Sequence, residues 1–133
     1  MATTRDTVST ILDSAATLRA LGLPEGNVLQ ADTLNSPEQK PFIVLRWGDE
    51  SEGIAACTIR PFTLWVYDEF GDYNRATLIG HEAVRVLRAI EPTQTDSGWL
   101  TAIEGGLRGG DLADDGFDAL VVPYTLVAVA SGV

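Results

Sequence analysis

His81 and Cys57 are the chain's single histidine and single cysteine, and they bound its catalytic options. His81-Glu82 opens like the zinc-binding helix motif H-E-x-x-H, but the fourth residue on is Arg85, so the second metal ligand is missing. Cys57 has no second histidine to serve as its base, and neither a triad nor a metal cluster can be completed. Asp68, Glu69 and Asp72 gather three carboxylates near one turn, a spacing that could serve general acid/base work. Helix capping by Asp72 and exposed charge at the others account for them more simply. Asp111, Asp114, Asp115 and Asp118, with Gly116, have the composition of a calcium loop. They lack the alternating ligand spacing of an EF-hand and its closing glutamate, which leaves a solvated turn. The glycines from Gly105 to Gly110 are followed by no GxxxxGK[ST] or GxGxxG, and no lysine is near, so hairpin flexibility is the plainer reading. Trp47, Trp65, Tyr67, Trp99 and Tyr124 could form a stacking platform for a ligand, although alternation along strands would divide them between core and interface. No catalytic, cofactor-binding or metal-binding set is expected.

The elements that would carry these residues are readable from periodicity. Val8, Ile11, Leu12, Ala15, Leu18 and Leu21 fall on one helical stripe, and Thr3 with Asp6 caps its start. A first helix from about Thr4 to Leu21, stopped by Gly22, is predicted. Val28-Leu29 offers a short strand before a long loop to Pro41. Phe42 to Trp47 reads as a strand, Asp49 to Ala56 as an acidic connection, and Cys57 to Tyr67 as a second, antiparallel strand. Pro61 cannot donate to a ladder and should lie at an edge, a bulge or the strand start. A second helix runs from about Tyr73 to Ile90, burying Ile79, Ala83, Val86, Leu87 and Ile90. Gly80 inside it costs about 1 kcal/mol relative to Ala, which a close helix-to-sheet approach would explain. Trp99 to Glu104 and Ala119 to Ala130 complete the strands, with Thr93 to Gly98 and Asp111 to Asp118 as loops.

The expected class is α+β, with two helices on one face of a mostly antiparallel four- to five-stranded sheet in the order helix, strand pair, helix, strand pair. The last strand is apolar at nearly every position, whereas a sheet covered on one face should alternate with polar residues. Its second face therefore needs a cover, most simply another subunit, with a fold-back of the Pro24 to Pro41 loop as the alternative.

With 133 residues the chain should form one domain, residues 1–133, able to bury roughly two-thirds of its unfolded surface. Nine Lys and Arg against 19 Asp and Glu give a formal charge of -10, which argues against nucleic acid as an affinity partner. Arg85 and Arg88 are the only modest cationic pair. A lone cysteine suits a reducing compartment, and no signal-peptide core or membrane-length apolar run is visible, so synthesis in a cytoplasm is expected.

Taken together, Phe62-Thr63-Leu64-Trp65-Val66-Tyr67-Asp68 leading into the helix Arg75 to Ile90, then Gly98 to Ile103, the Asp114-Asp115-Gly116 turn and the strand Leu120 to Val129, resemble the tail terminator (tail completion) family of long-tailed bacteriophages. The likeness spans about Phe42 to Ala130, and the long Pro24 to Pro41 segment and paired glycines depart from the family pattern. It implies a non-enzymatic virion protein, made in the host cytoplasm and located at the head-proximal end of the tail. There a hexameric ring would cap the tail tube, stop its polymerisation and meet head-completion or connector proteins. DNA would pass through its lumen without sequence-specific binding. On that reading Trp65, Tyr67, Val122 and Tyr124 serve sheet packing or ring contacts, and Arg85 and Arg88 pair charges between subunits. Asp49, Glu50, Glu52, Asp111, Asp114 and Asp115 would face the lumen or the tube. Two rivals are a small hydrolase using Asp68, Glu69 or Asp72 with His81, and a monomeric ligand-binding module using the aromatics.

Overall fold

The period-2 alternation of the two longest apolar runs builds the centre of the molecule. In a computed structural model, which describes residues 3–30, 39–53, 57–71, 73–96, 98–114 and 119–131, β4 (Cys57–Asp68) pairs antiparallel with β8 (Ala119–Ser131). The ladder runs without a register shift from Cys57↔Ser131 to Asp68↔Leu120. Successive side chains leave a strand on opposite faces. Phe62, Leu64, Val66, Leu120, Val122, Tyr124 and Leu126 therefore share one face and are buried.

The remaining strands flank this pair. β2 (Phe42–Trp47) lies antiparallel to β4, and β1 (Val28–Gln30) lies parallel to β2. Across β8, β6 (Gly98–Arg108) and then β5 (Thr93–Thr95) follow antiparallel, giving the order β1-β2-β4-β8-β6-β5. β3 (Ser51–Glu52) continues the line of β2 along β4, and β7 (Leu112–Asp114) continues that of β6 along β8.

Both continuations are interrupted opposite a proline. A strand residue directs its N–H and C=O toward the same neighbour, so a proline that accepts a bond there offers no donor beside it. Gly48 donates to the Pro61 carbonyl at 2.8 Å where β2 gives way to β3, and Gly109 donates to the Pro123 carbonyl at 2.8 Å where β6 gives way to β7. A Cβ on Gly48 or Gly109 would stand 3.0 or 2.7 Å from the facing proline Cγ. Pro61 thus marks a bulge, one of the three positions open to it from sequence.

The helices α1 (Thr4–Asp13), α2 (Ala16–Ala20) and α3 (Tyr73–Arg88) bury Val8, Leu12, Leu18, Ile79, Ala83 and Leu87 in the same core as the β4 and β8 residues. Close approach explains Gly80: an added Cβ would stand 2.0 Å from Tyr124 Cε1. Tyr124 Oη donates to the Thr77 carbonyl at 3.1 Å, fixing the ring under α3. The strand-to-helix corner is held by Asp68, whose buried carboxylate accepts from the Glu69 amide at 2.7 Å and from Arg75 Nε at 2.7 Å, with Arg75 Nη2 closing the pair.

The expected architecture of two helices on four or five strands is overturned: among the described residues the chain is mostly β, a curled mixed sheet of eight strands with three helices. β1, β3, β5 and β7 contain two or three residues each, too few to display a period. Three of them lie in segments expected to be connections, Asp49 to Ala56, Thr93 to Gly98 and Asp111 to Asp118. The single helix expected from Thr4 to Leu21 breaks at Ser14, whose Oγ donates to the Thr10 carbonyl at 2.8 Å, an alternative partner that competes with helix continuation. Gly105 and Gly106 belong to β6 and not to a hairpin turn. They take φ of 89° and 110° at a bulge, a left-handed backbone that favours glycine, and a Cβ on Gly106 would meet Val84 of α3 at 2.4 Å.

Candidate functional site

Among the described residues, the chemistries considered from sequence are dispersed. Asp68 is fully buried and engaged by Arg75, Glu69 is exposed, and Asp72 lies outside the described residues. His81 is exposed on α3 and meets the ring of Tyr124 edge-on at 5.7 Å. Tyr124 pairs with Leu64, four residues along β4 from Asp68 and so about 13 Å away. The aromatics divide between faces. Trp47 stacks on Phe62 at 4.4 Å and Tyr124 is in the core, while Trp65 and Tyr67 point to the other face and Trp99 is exposed. Among the described residues no three His, Cys, Asp or Glu gather to hold a metal ion.

Surfaces remain. The helices cover the Tyr124 face; the opposite face carries Val44 from β2, Ile59, Thr63 and Trp65 from β4, Pro123, Val127 and Val129 from β8, and Ala102 and Leu107 from β6. Most are half-buried, and Leu107 is 85% exposed. Together they form a contiguous and largely apolar sheet face of the kind that marks interaction sites. The indole N–H of Trp65 is buried between its neighbours with no acceptor. Tyr67 stacks on Phe42 at 4.6 Å and donates to Asp114 at 3.4 Å. Burial first, and the Asp114 carboxylate second, raise the Tyr67 hydroxyl above its usual range. Val122 and Tyr124 are 0% exposed, so within one protomer they serve sheet packing.

The acidic segments occupy opposite ends of the sheet. Asp49, Glu50 and Glu52 lie where β3 meets the Cys57 end of β4; Asp111 and Asp114 flank β7 beside the Ala119 end of β8. Eleven residue steps along β4, roughly 36 Å, separate these ends. Asp49, Glu50 and Glu52 are exposed, whereas Asp111 accepts from Arg108 and Asp114 from Tyr67. Asp115 and Asp118 lie outside the described residues.

The third surface is the outward side of α3. One groove of about 590 Å³ is lined by His81, Val84, Arg85, Arg88 and Ala89. A second, of about 460 Å³, runs between α3 and α2 past Leu78 and Leu21 and shares His81 and Arg85. Arg85 binds Glu82 through Nε and Nη2, and this pairing holds the Glu82 carboxyl down to about 2.

No family model matches the chain, and no curated protein matches it. Its fold is that of a chain in a solved structure described as the virion of a native gene transfer agent particle. The two superpose with a TM-score of 0.70 at 18% identity, over 94% of this chain and 92% of that one. At this identity the likeness defines a shared fold. Among the described residues no helix is long and apolar enough to cross a membrane.

Proposed function

We propose that the chain is a structural virion protein that closes the head-proximal end of a tail tube as a hexameric ring, ends tube growth and forms the joint to the head. The observation that carries this reading is the fold shared, over nearly the whole of both chains, with a component of a virion particle. The apolar sheet face, which no helix among the described residues covers, supports it, because such a face in an acidic chain suits burial against another protein.

In this reading Trp65 and Tyr67 belong to the face that packs on a neighbour or on the tube protein, and Arg85 and Arg88 meet acidic groups of an adjacent copy. Asp111, Asp114 and Asp115 supply carboxylates for the lumen or the docking partner, and Asp49, Glu50 and Glu52 supply them for docking. Six copies at -10 sum to 6 × (-10) = -60, a field that repels DNA phosphates and lets the duplex slide without adhering. The protein performs no catalysis and carries no cofactor; its partners are itself, the tail tube protein and a head-completion or connector protein.

Native mass spectrometry and electron microscopy of the purified protein, alone and mixed with tail tubes of its own particle, test the proposal. Six-membered rings, free or seated on tube ends, are expected. A protein that stays monomeric and never caps a tube overturns it.

A further inference from the structure

We infer that the α3 groove is the receptor for the acidic β2–β3 segment, Asp49 to Glu52, of a second copy of this chain, so that the ring closes by a head-to-tail contact. The inference rests on the ring reading and names the two patches that meet.

The first ground is charge. In a chain with 19 acidic and 9 basic residues, a groove lined by His81, Val84, Arg85, Arg88 and Ala89 contains no carboxylate. Arg85 is held by Glu82 at the rim, and Arg88 is exposed with no carboxylate partner among the described residues. Arg46 is in the same position, but it stands three residues from Asp49 on the same hairpin. On the other side, Asp49, Glu50 and Glu52 are exposed with no cation bound to them among the described residues, while Asp111 and Asp114 already accept bonds from their own chain. Asp49, Glu50 and Glu52 thus form a run of exposed carboxylates, with Arg46 and Arg60 beside it, that complements Arg88 in the groove of another copy.

The second ground is height. A ring of more than two copies needs a heterologous contact, with two different patches on each copy at the same level along the ring axis. α3 starts beside β7, where Tyr73 Oη donates to the Leu112 carbonyl at 2.9 Å, and so ends at the opposite end of the sheet. There β5, five residues past Arg88, pairs with Gly98–Leu100 of β6, which in turn faces Ala130 and Ser131, the partners of Thr58 and Cys57. Glu52 pairs with Thr58. Arg88 and Glu52 therefore stand at the same end of the strands, and rotation about an axis running along them brings one copy's segment toward the next copy's groove without a rise.

Charge reversal tests this. Arg88→Glu alone, or Glu50→Lys with Glu52→Lys, should raise the protein concentration at half assembly about tenfold or more, and combining the two sets should restore it. All three positions are exposed, so thermal melts should match the unaltered protein, and native mass spectrometry reads the ring population with and without tail tubes. Rings that form and are indifferent to both reversals, or a combination that fails to rescue, overturn the contact and leave the ring reading standing. A protein that never self-associates, free or on tubes, overturns both.

Discussion

Asp68 shows how a carboxylate in a suggestive position can be wholly structural. Its side chain is fully buried, and every oxygen is directed at the Glu69 amide or at Arg75. Removing the cation leaves a buried charge unmatched, so Arg75→Ala should destabilise the protein by about 3 kcal/mol, measured by urea unfolding. Asp68→Asn keeps the shape and loses the charge, and should cost less, about 1–3 kcal/mol. Glu82 behaves differently because it is only half-buried. Its carboxyl titrates at about 2 in the fold against an ordinary 4.5, principally through the Arg85 hydrogen bond and secondarily through Thr17. A folded pKa below the unfolded one means a contribution present above 4.5 and lost as pH falls toward about 2. NMR titration should find Glu82 still ionised where exposed glutamates are half protonated, and Arg85→Gln should move its midpoint upward.

At the scale of elements, Gly80 offers the sharpest experiment. Glycine to alanine in a helix ordinarily gains about 1 kcal/mol, but a methyl here meets the Tyr124 ring at 2.0 Å. Gly80→Ala should therefore destabilise by about 1–3 kcal/mol, and the penalty should shrink in a Tyr124→Val background. This contact was foreshadowed in the sequence, because a glycine at the centre of an otherwise strong helical stripe demands a neighbour that needs the space. β2, β4, α3 and β8 were legible for the same reason: each is long enough for its burial pattern to repeat. β3 and β7 were not, since their two or three residues are held by pairing to a long neighbour and by breaks opposite Pro61 and Pro123, which are long-range facts. Ser14 hid the division between α1 and α2 because the apolar stripe continues through it. The candidate surfaces were legible as residue types, acidic runs and a doubly apolar strand. Their arrangement was not, because β2 and β6 each continue past a proline into a second strand, and this is what sends the acidic segments to opposite ends.

For the whole molecule, the apolar sheet face separates stability from assembly. Val127 and Ile59 are half-buried there, so Val127→Lys with Ile59→Lys should cost about 1 kcal/mol in the isolated chain while sharply reducing capping of tail tubes. Unchanged capping in electron micrographs would move the contact to another surface. Reversing Asp114 with Asp115 should impair tube docking or DNA passage, and normal infectivity of such a particle would count against an acidic lumen.

The separation of the acidic segments has one more consequence. Asp49, Glu50 and Glu52 mark one pole of the long strands and Asp111 and Asp114 the other, so both ends of the molecule present carboxylates. Copies laid end to end along that direction would press carboxylate against carboxylate, and fibre growth along it is opposed at every junction. On the proposed ring reading, self-association would be left to the flanks, where growth is lateral and finite. Under the proposed function, such a subunit would complete a single tier and oppose a second, the property a stop needs.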